Sequence, residues 1–198
     1  MAEATVLIVP GLRGHVPEHW QTLLAQRLPR VRAVEPMGRT DLDCGARCAA
    51  IEREAQSIDG PVIIVAHSGG VIMVAHWARH TRRQMRGALL ATPPDFETPM
   101  PEGYPTMAEL DANGWLPVPR DPLPFPSVVA ASRNDPLGKF TRIEAMALRW
   151  GSEFVDLGAV GHLNPASGFG DWPEAERLIG LLDTEQATDT STIKARNR

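Results

Sequence analysis

The sequence predicts an α/β domain: a doubly wound, mostly parallel sheet of about six strands with helices on both faces. Three observations lead there. Short apolar, β-branched runs alternate with helix-period segments along almost the whole chain. The strand-like runs are continuously apolar, as strands buried on both faces are. The 198 residues, 43% hydrophobic and 22% charged, suit one globular domain with a substantial core.

In chain order, Thr5 to Val9 reads as a first buried strand, broken by Pro10-Gly11-Leu12-Arg13-Gly14. Pro17 then opens a helix, because its missing N–H lacks a helical acceptor at that position in any case. Trp20, Leu23, Leu24 and Leu28 form its inner face. Val31 to Val34 is a short second strand, followed by a helix from about Asp43 to Ser57. Val62 to Ala66 is a central strand that runs straight into His67-Ser68-Gly69-Gly70. A helix follows with Val71, Val74, Ala75 and Ala78 on one face.

Gly87 to Ala91 is a fourth strand. Periodicity then vanishes over residues 92–125, a Pro-rich stretch that also carries Tyr104, Met107, Leu110, Trp115 and Leu116. It is too apolar for a free linker and reads as a cap over one edge of the sheet, with a short helix near Thr106 to Ala112. Ser127 to Ser132 is a fifth strand, Lys139 to Trp150 a helix, and Glu153 to Leu157 a sixth strand. A Gly-rich loop leads to a last helix from Pro173. The domain is expected to span 1–183, with a polar tail at 184–198 expected to be disordered.

Composition removes several classes of function. A net charge of −4 supplies no basic field for nucleic acid. No apolar run approaches a membrane span, and the N-terminus lacks a basic leader, so a cytoplasmic protein is expected. Cys44 and Cys48 lie four apart on one helix face without the further ligands a metal site needs, and read as buried thiols. No cofactor is expected, and the oligomeric state is not legible.

In a doubly wound sheet, sites lie beyond the carboxyl ends of the strands. Three reactive residues meet that criterion in the order Ser, Asp, His. Ser68 follows the third strand, Asp135 the fifth, in Asn134-Asp135-Pro136, and His162 the sixth, in Gly161-His162-Leu163-Asn164. Strand–Ser–helix is the layout of a nucleophile elbow, here Ala-His-Ser-Gly-Gly, with Ala66 where glycine is usual. Serine needs a base to remove its proton; imidazole serves near neutral pH, and a carboxylate fixes its tautomer. The oxyanion of acyl transfer calls for two backbone N–H groups, expected from Gly69 and from Leu12 in the Pro10-Gly11-Leu12 turn.

With these motifs in place, the sequence resembles the small serine hydrolases of the retinoblastoma-binding-protein 9 and YdeN type, a compact branch of the α/β-hydrolase superfamily. The resemblance runs from about Val6 to Leu182. It rests on Val9-Pro10-Gly11, His67-Ser68-Gly69-Gly70, Asn134-Asp135-Pro136 and, most specifically, the stretch from Gly161 to Pro173. It implies a compact α/β-hydrolase fold without the two antiparallel leading strands of larger hydrolases. It also implies a minimal cap, esterase-like activity, and a triad at Ser68, Asp135 and His162.

Other polar and aromatic residues carry weaker expectations. His15 and Trp20 are candidates for the substrate pocket, with Asn164, which equally suits a loop-bracing role. His19, beside Trp20 in the chain, could also line the pocket but reads first as a surface residue, and His67 reads as pointing away from the site. His76 and His80 read as structural, and Trp172 as packing. Asp95, after the fourth strand, is a rival acid to Asp135. The expected activity is hydrolysis of a small carboxylic ester. Thioester, amide or acyl-transfer chemistry on the same triad remains open, as does a non-catalytic interaction module on this fold.

Overall fold

The structure, a computed structural model, describes residues 3–13 and 16–195. Six strands form one sheet: β1 (Thr5–Val9), β2 (Val31–Ala33), β3 (Val62–His67), β4 (Gly87–Ala91), β5 (Ser127–Ala131) and β6 (Glu153–Asp156). Their order is β2-β1-β3-β4-β5-β6, and every pairing is parallel. The expected mostly parallel sheet is therefore wholly parallel. The order reverses between β1 and β3, so the carboxyl ends of these two strands flank the crevice where such sheets place their sites.

Alternate strand residues feed two separate cores, because strand side chains point to opposite faces. Leu7, Val9, Ile64, Ala66, Leu90 and Val129 pack with α2 (Cys44–Gln56), α3 (Gly69–Ala78) and α5 (Phe140–Trp150). Val6, Ile8, Ile63, Val65, Leu89 and Val128 pack with α1 (Trp20–Arg27) and α6 (Glu174–Ala195). Both faces are thus covered, which is why β1, β3, β4 and β5 are buried at every position.

Three element boundaries differ from expectation. The first helix starts at Trp20, not Pro17: His19 is extended and its Nδ1 accepts from the Gln21 N–H at 3.2 Å, a side-chain cap three residues into the expected helix. Helix α3 is buried almost all round rather than on one face, because the cap covers the side the periodicity left outward. Helix α6 continues through Ala195, so residues 184–195, expected as an unstructured tail, extend the helix; neither Gly nor Pro interrupts them. Among the described residues, no helix is long and apolar enough to cross a membrane.

The segment 92–125 contains α4 (Met107–Ala112), closed by a capping box in which Thr106 and Glu109 satisfy each other's backbone N–H. Its path is set by buried aromatics. Trp115 lies against Phe96 and donates through Nε1 to the Leu42 carbonyl at 2.7 Å, while its own carbonyl accepts from His76 at 3.0 Å. Trp150 of α5 donates to the Pro119 carbonyl at 2.8 Å. The cap is therefore fastened to α3, α5 and the loop before α2.

Candidate active site

Ser68 joins β3 to α3 with φ 56° and ψ −134°, a region that L residues rarely occupy. The turn survives because its neighbours have no side chains to collide. A Cβ on Gly70 would stand 2.6 Å from the Val9 carbonyl oxygen and 2.7 Å from that of Pro10. A Cβ on Gly11 would come within 3.1 Å of Ser68 Cβ and 3.5 Å of its Oγ. The two glycines let the turn after β1 press directly against the serine. Buried Gln21 closes the same region from below, donating to the carbonyls of Val9 at 3.2 Å and Val65 at 3.0 Å.

The loops after β5 and β6 are knit together. Asn134 Oδ1 accepts from the Gly161 N–H at 2.7 Å and from the Ser132 hydroxyl at 2.9 Å, and Ser132 Oγ accepts from the Val160 N–H. Gly161 sits at φ 58°, and a Cβ there would meet Ser167 Oγ at 2.5 Å. Only glycine meets both demands. Ser167 Oγ in turn accepts from the His162 N–H at 3.0 Å.

These loops bring the three sequence-predicted side chains into one line. Ser68 Oγ donates to His162 Nε2 at 2.8 Å, and His162 Nδ1 donates to Asp135 Oδ2 at 2.8 Å. Asp135 Oδ1 accepts from the Leu137 N–H at 2.9 Å, which orients the carboxylate. The Asp135 and His162 side chains are almost wholly buried, so their bond is formed away from water. The N–H groups of Leu12 and Gly69 find no hydrogen-bond acceptor among the described residues, and the Leu12 side chain lies over Gly69.

Ser68 opens into a cavity of about 610 Å³. Leu12, Val16, Leu42, Phe96, Met100 and Tyr104 supply apolar wall, with His67, His162 and Asn164 beside the serine. Two arginines reach the cap at its rim: Arg39 donates to the Gly103 carbonyl at 3.1 Å, and the Arg13 guanidinium lies 5.5 Å from the centre of the Tyr104 ring. Among the described residues no group of His, Cys, Asp and Glu is arranged to hold a metal.

The remaining expectations divide. Asn164 lines the cavity, and its Oδ1 also accepts from the Ser167 N–H at 3.0 Å, bracing the 3₁₀ turn Pro165–Ser167. Trp20 is corrected from pocket residue to core: it is 1% exposed, packed edge-on against Trp172, and absent from the cavity wall. Of the two readings of His19, surface residue or pocket wall, the second is the one found: it lines the cavity. His15 lies outside the described residues. Asp95 is drawn away from His162 by an ion pair with Arg142 and by the Thr98 hydroxyl.

The residue that sequence reasoning missed is His67. Expected to point away, it lines the cavity and donates from Nε2 to the His162 carbonyl at 3.0 Å. Burial, with the imidazoles of His162 and His19 adding to it, holds its pKa well below the ordinary histidine value.

The fold is a compact α/β-hydrolase fold, and the class of protein is a serine hydrolase. The chain belongs to the serine hydrolase family, whose sequence model matches residues 6–180. Among solved structures it is similar to a YdeN-like hydrolase from Pectobacterium atrosepticum, with 30% identity, a TM-score of 0.77 and 91% of each chain covered. It is similar too to the ydeN gene product of Bacillus subtilis, at 16% identity and a TM-score of 0.71, covering 92% of this chain and 100% of that one. Est1E from Butyrivibrio proteoclasticus, solved with ferulic acid bound, shares the fold at 13% identity and a TM-score of 0.67, covering 95% and 90%. Among curated proteins none matches.

Proposed function

We propose that this hydrolase cleaves small carboxylic esters through an acyl-enzyme on Ser68, with His162 as general base and acid and Asp135 as its orienting carboxylate. The observation that carries the reading is the unbroken line of two 2.8 Å hydrogen bonds from hydroxyl to imidazole to carboxylate, opening on the cavity.

Ser68 Oγ attacks the ester carbonyl carbon while His162 Nε2 takes the hydroxyl proton. Negative charge gathers on the carbonyl oxygen, which the N–H groups of Leu12 and Gly69 receive. The first turn of α3 adds its dipole there. Asp135 steadies the imidazolium. The tetrahedral adduct collapses, the ester C–O bond breaks, and the departing alkoxide takes the proton from His162. Water then gives a proton to His162 and attacks the acyl carbon; the Ser68 Oγ–acyl bond breaks, His162 returns the proton to Oγ, and the acid leaves.

The cavity wall suits an apolar acyl or alcohol part. Ester is preferred over amide because an alkoxide is the better leaving group. A fluorophosphonate probe should label the protein at Ser68, and Ser68→Ala should abolish both labelling and turnover of 4-nitrophenyl esters. Labelling that survives the substitution would refute the assignment. A panel of matched ester, thioester and aminoacyl-amide substrates ranks the leaving groups.

A further inference from the structure

We propose that His67 is a positioning residue for the base: its side chain holds the backbone of His162 where the imidazole meets the serine. This rests on the triad reading above. His67 precedes Ser68 in the chain, and the two grip residue 162 at opposite ends. The His67 ring donates to the His162 carbonyl at 3.0 Å, while the Ser68 hydroxyl donates to the His162 ring at 2.8 Å. The nucleophile's own backbone thereby becomes the reference from which the base is placed.

The His162 loop needs such a hold. Gly161 at φ 58° and Leu163 at φ 47° flank it in the left-handed region, and for leucine that conformation is disfavoured. Side chains engage both backbone groups of His162: Ser167 Oγ accepts from its N–H, and His67 donates to its carbonyl. Loss of the second contact would leave a buried carbonyl without its donor and free the loop to relax away from Ser68. The His67 ring is itself confined. His19 lies 4.6 Å from it, His162 4.9 Å and Trp20 5.9 Å, centre to centre. A carbonyl can only accept, so Nε2 carries the proton and the ring is held as one tautomer. Kept neutral by burial, it adds no second positive charge beside the imidazolium that forms on His162.

The full chain, as parent, H67Q and H67L, tests this. Glutamine carries its amide N–H the same number of bonds from Cβ as histidine Nε2, whereas leucine keeps bulk without a donor. For H67L, kcat on a 4-nitrophenyl ester and the rate of fluorophosphonate labelling should both fall about 10- to 100-fold with KM little changed, the scale of a misplaced catalytic group. H67Q should recover most of that loss. Should H67L not fold, H67N replaces it, because its amide stops short of the carbonyl and should behave as the donor-less variant does. Folded donor-less variants with kcat within about twofold of the parent, or an H67Q as impaired as they are, would overturn the proposal. A purely packing role would lower the melting temperature and leave kcat alone. A parent that neither turns over esters nor takes the probe would instead mark failure of the triad reading, and the proposal would fall with it.

Discussion

At the scale of single residues, two carboxylates that looked alike in the sequence do different work. Asp135 faces His162 Nδ1, while Asp95, almost fully buried, is committed to Arg142. Asp135→Asn should lower kcat on 4-nitrophenyl acetate about 10³- to 10⁴-fold, since an amide favours the wrong imidazole tautomer. Asp95→Asn should reduce stability in urea and leave kcat within about tenfold of the parent, because it breaks a strut rather than the relay. Ser68, Asp135 and His162, the proposed nucleophile, acid and base, were legible because each follows an unmistakable strand, and strand ends converge in this class of sheet. The role of His67 was not. Its partner is 95 residues away, and the contact exists only where the loops after β3 and β6 meet. Trp20 shows the same limit: its hydrophobicity marked it for burial without saying whether core or cavity would receive it.

At the scale of elements, strands were the most legible, because an apolar β-branched run with turns at both ends has few other uses. Helix ends were less so. Pro17 is compatible with a helix start but does not compel one, and the side-chain cap at His19 decided the matter. The cap path was unreadable because it depends on indole N–H groups reaching distant carbonyls, as Trp115 does at Leu42. The elbow offers a sharp stability prediction. Gly70→Ala puts a methyl group 2.6 Å from a backbone oxygen that has little room to retreat. A loss of about 1–3 kcal/mol by urea denaturation is expected, with activity falling in parallel. Thr106→Ala removes one side of the capping box of α4 and should cost about 1 kcal/mol, read from the same transition.

At the scale of the whole molecule, one buried and one half-buried histidine set a pH dependence. His67 and His76 have pKa values lowered from 6.5, each chiefly by burial. The unfolded chain takes up protons as pH falls through about 6.5, while the folded chain resists, so stability present above that pH is lost below it. Each group contributes at most about 1.4 kcal/mol per pH unit within its window. Urea titrations at pH 7.5, 6.0 and 5.0 should show the decline, and H67Q should flatten it. A slope identical in parent and H67Q would assign the effect elsewhere.

The position of the strands within the sheet has a temporal consequence. Ser68 leaves β3, which has neighbours on both sides, whereas His162 leaves β6, a margin strand paired only with β5 and half open to water. Amide exchange should therefore be faster along β6 than along β3. Under gentle denaturant the loop carrying the proposed base should drift off before the hydroxyl's own turn loosens, so catalytic silence should precede the collapse of the circular dichroism signal and reverse promptly on dilution.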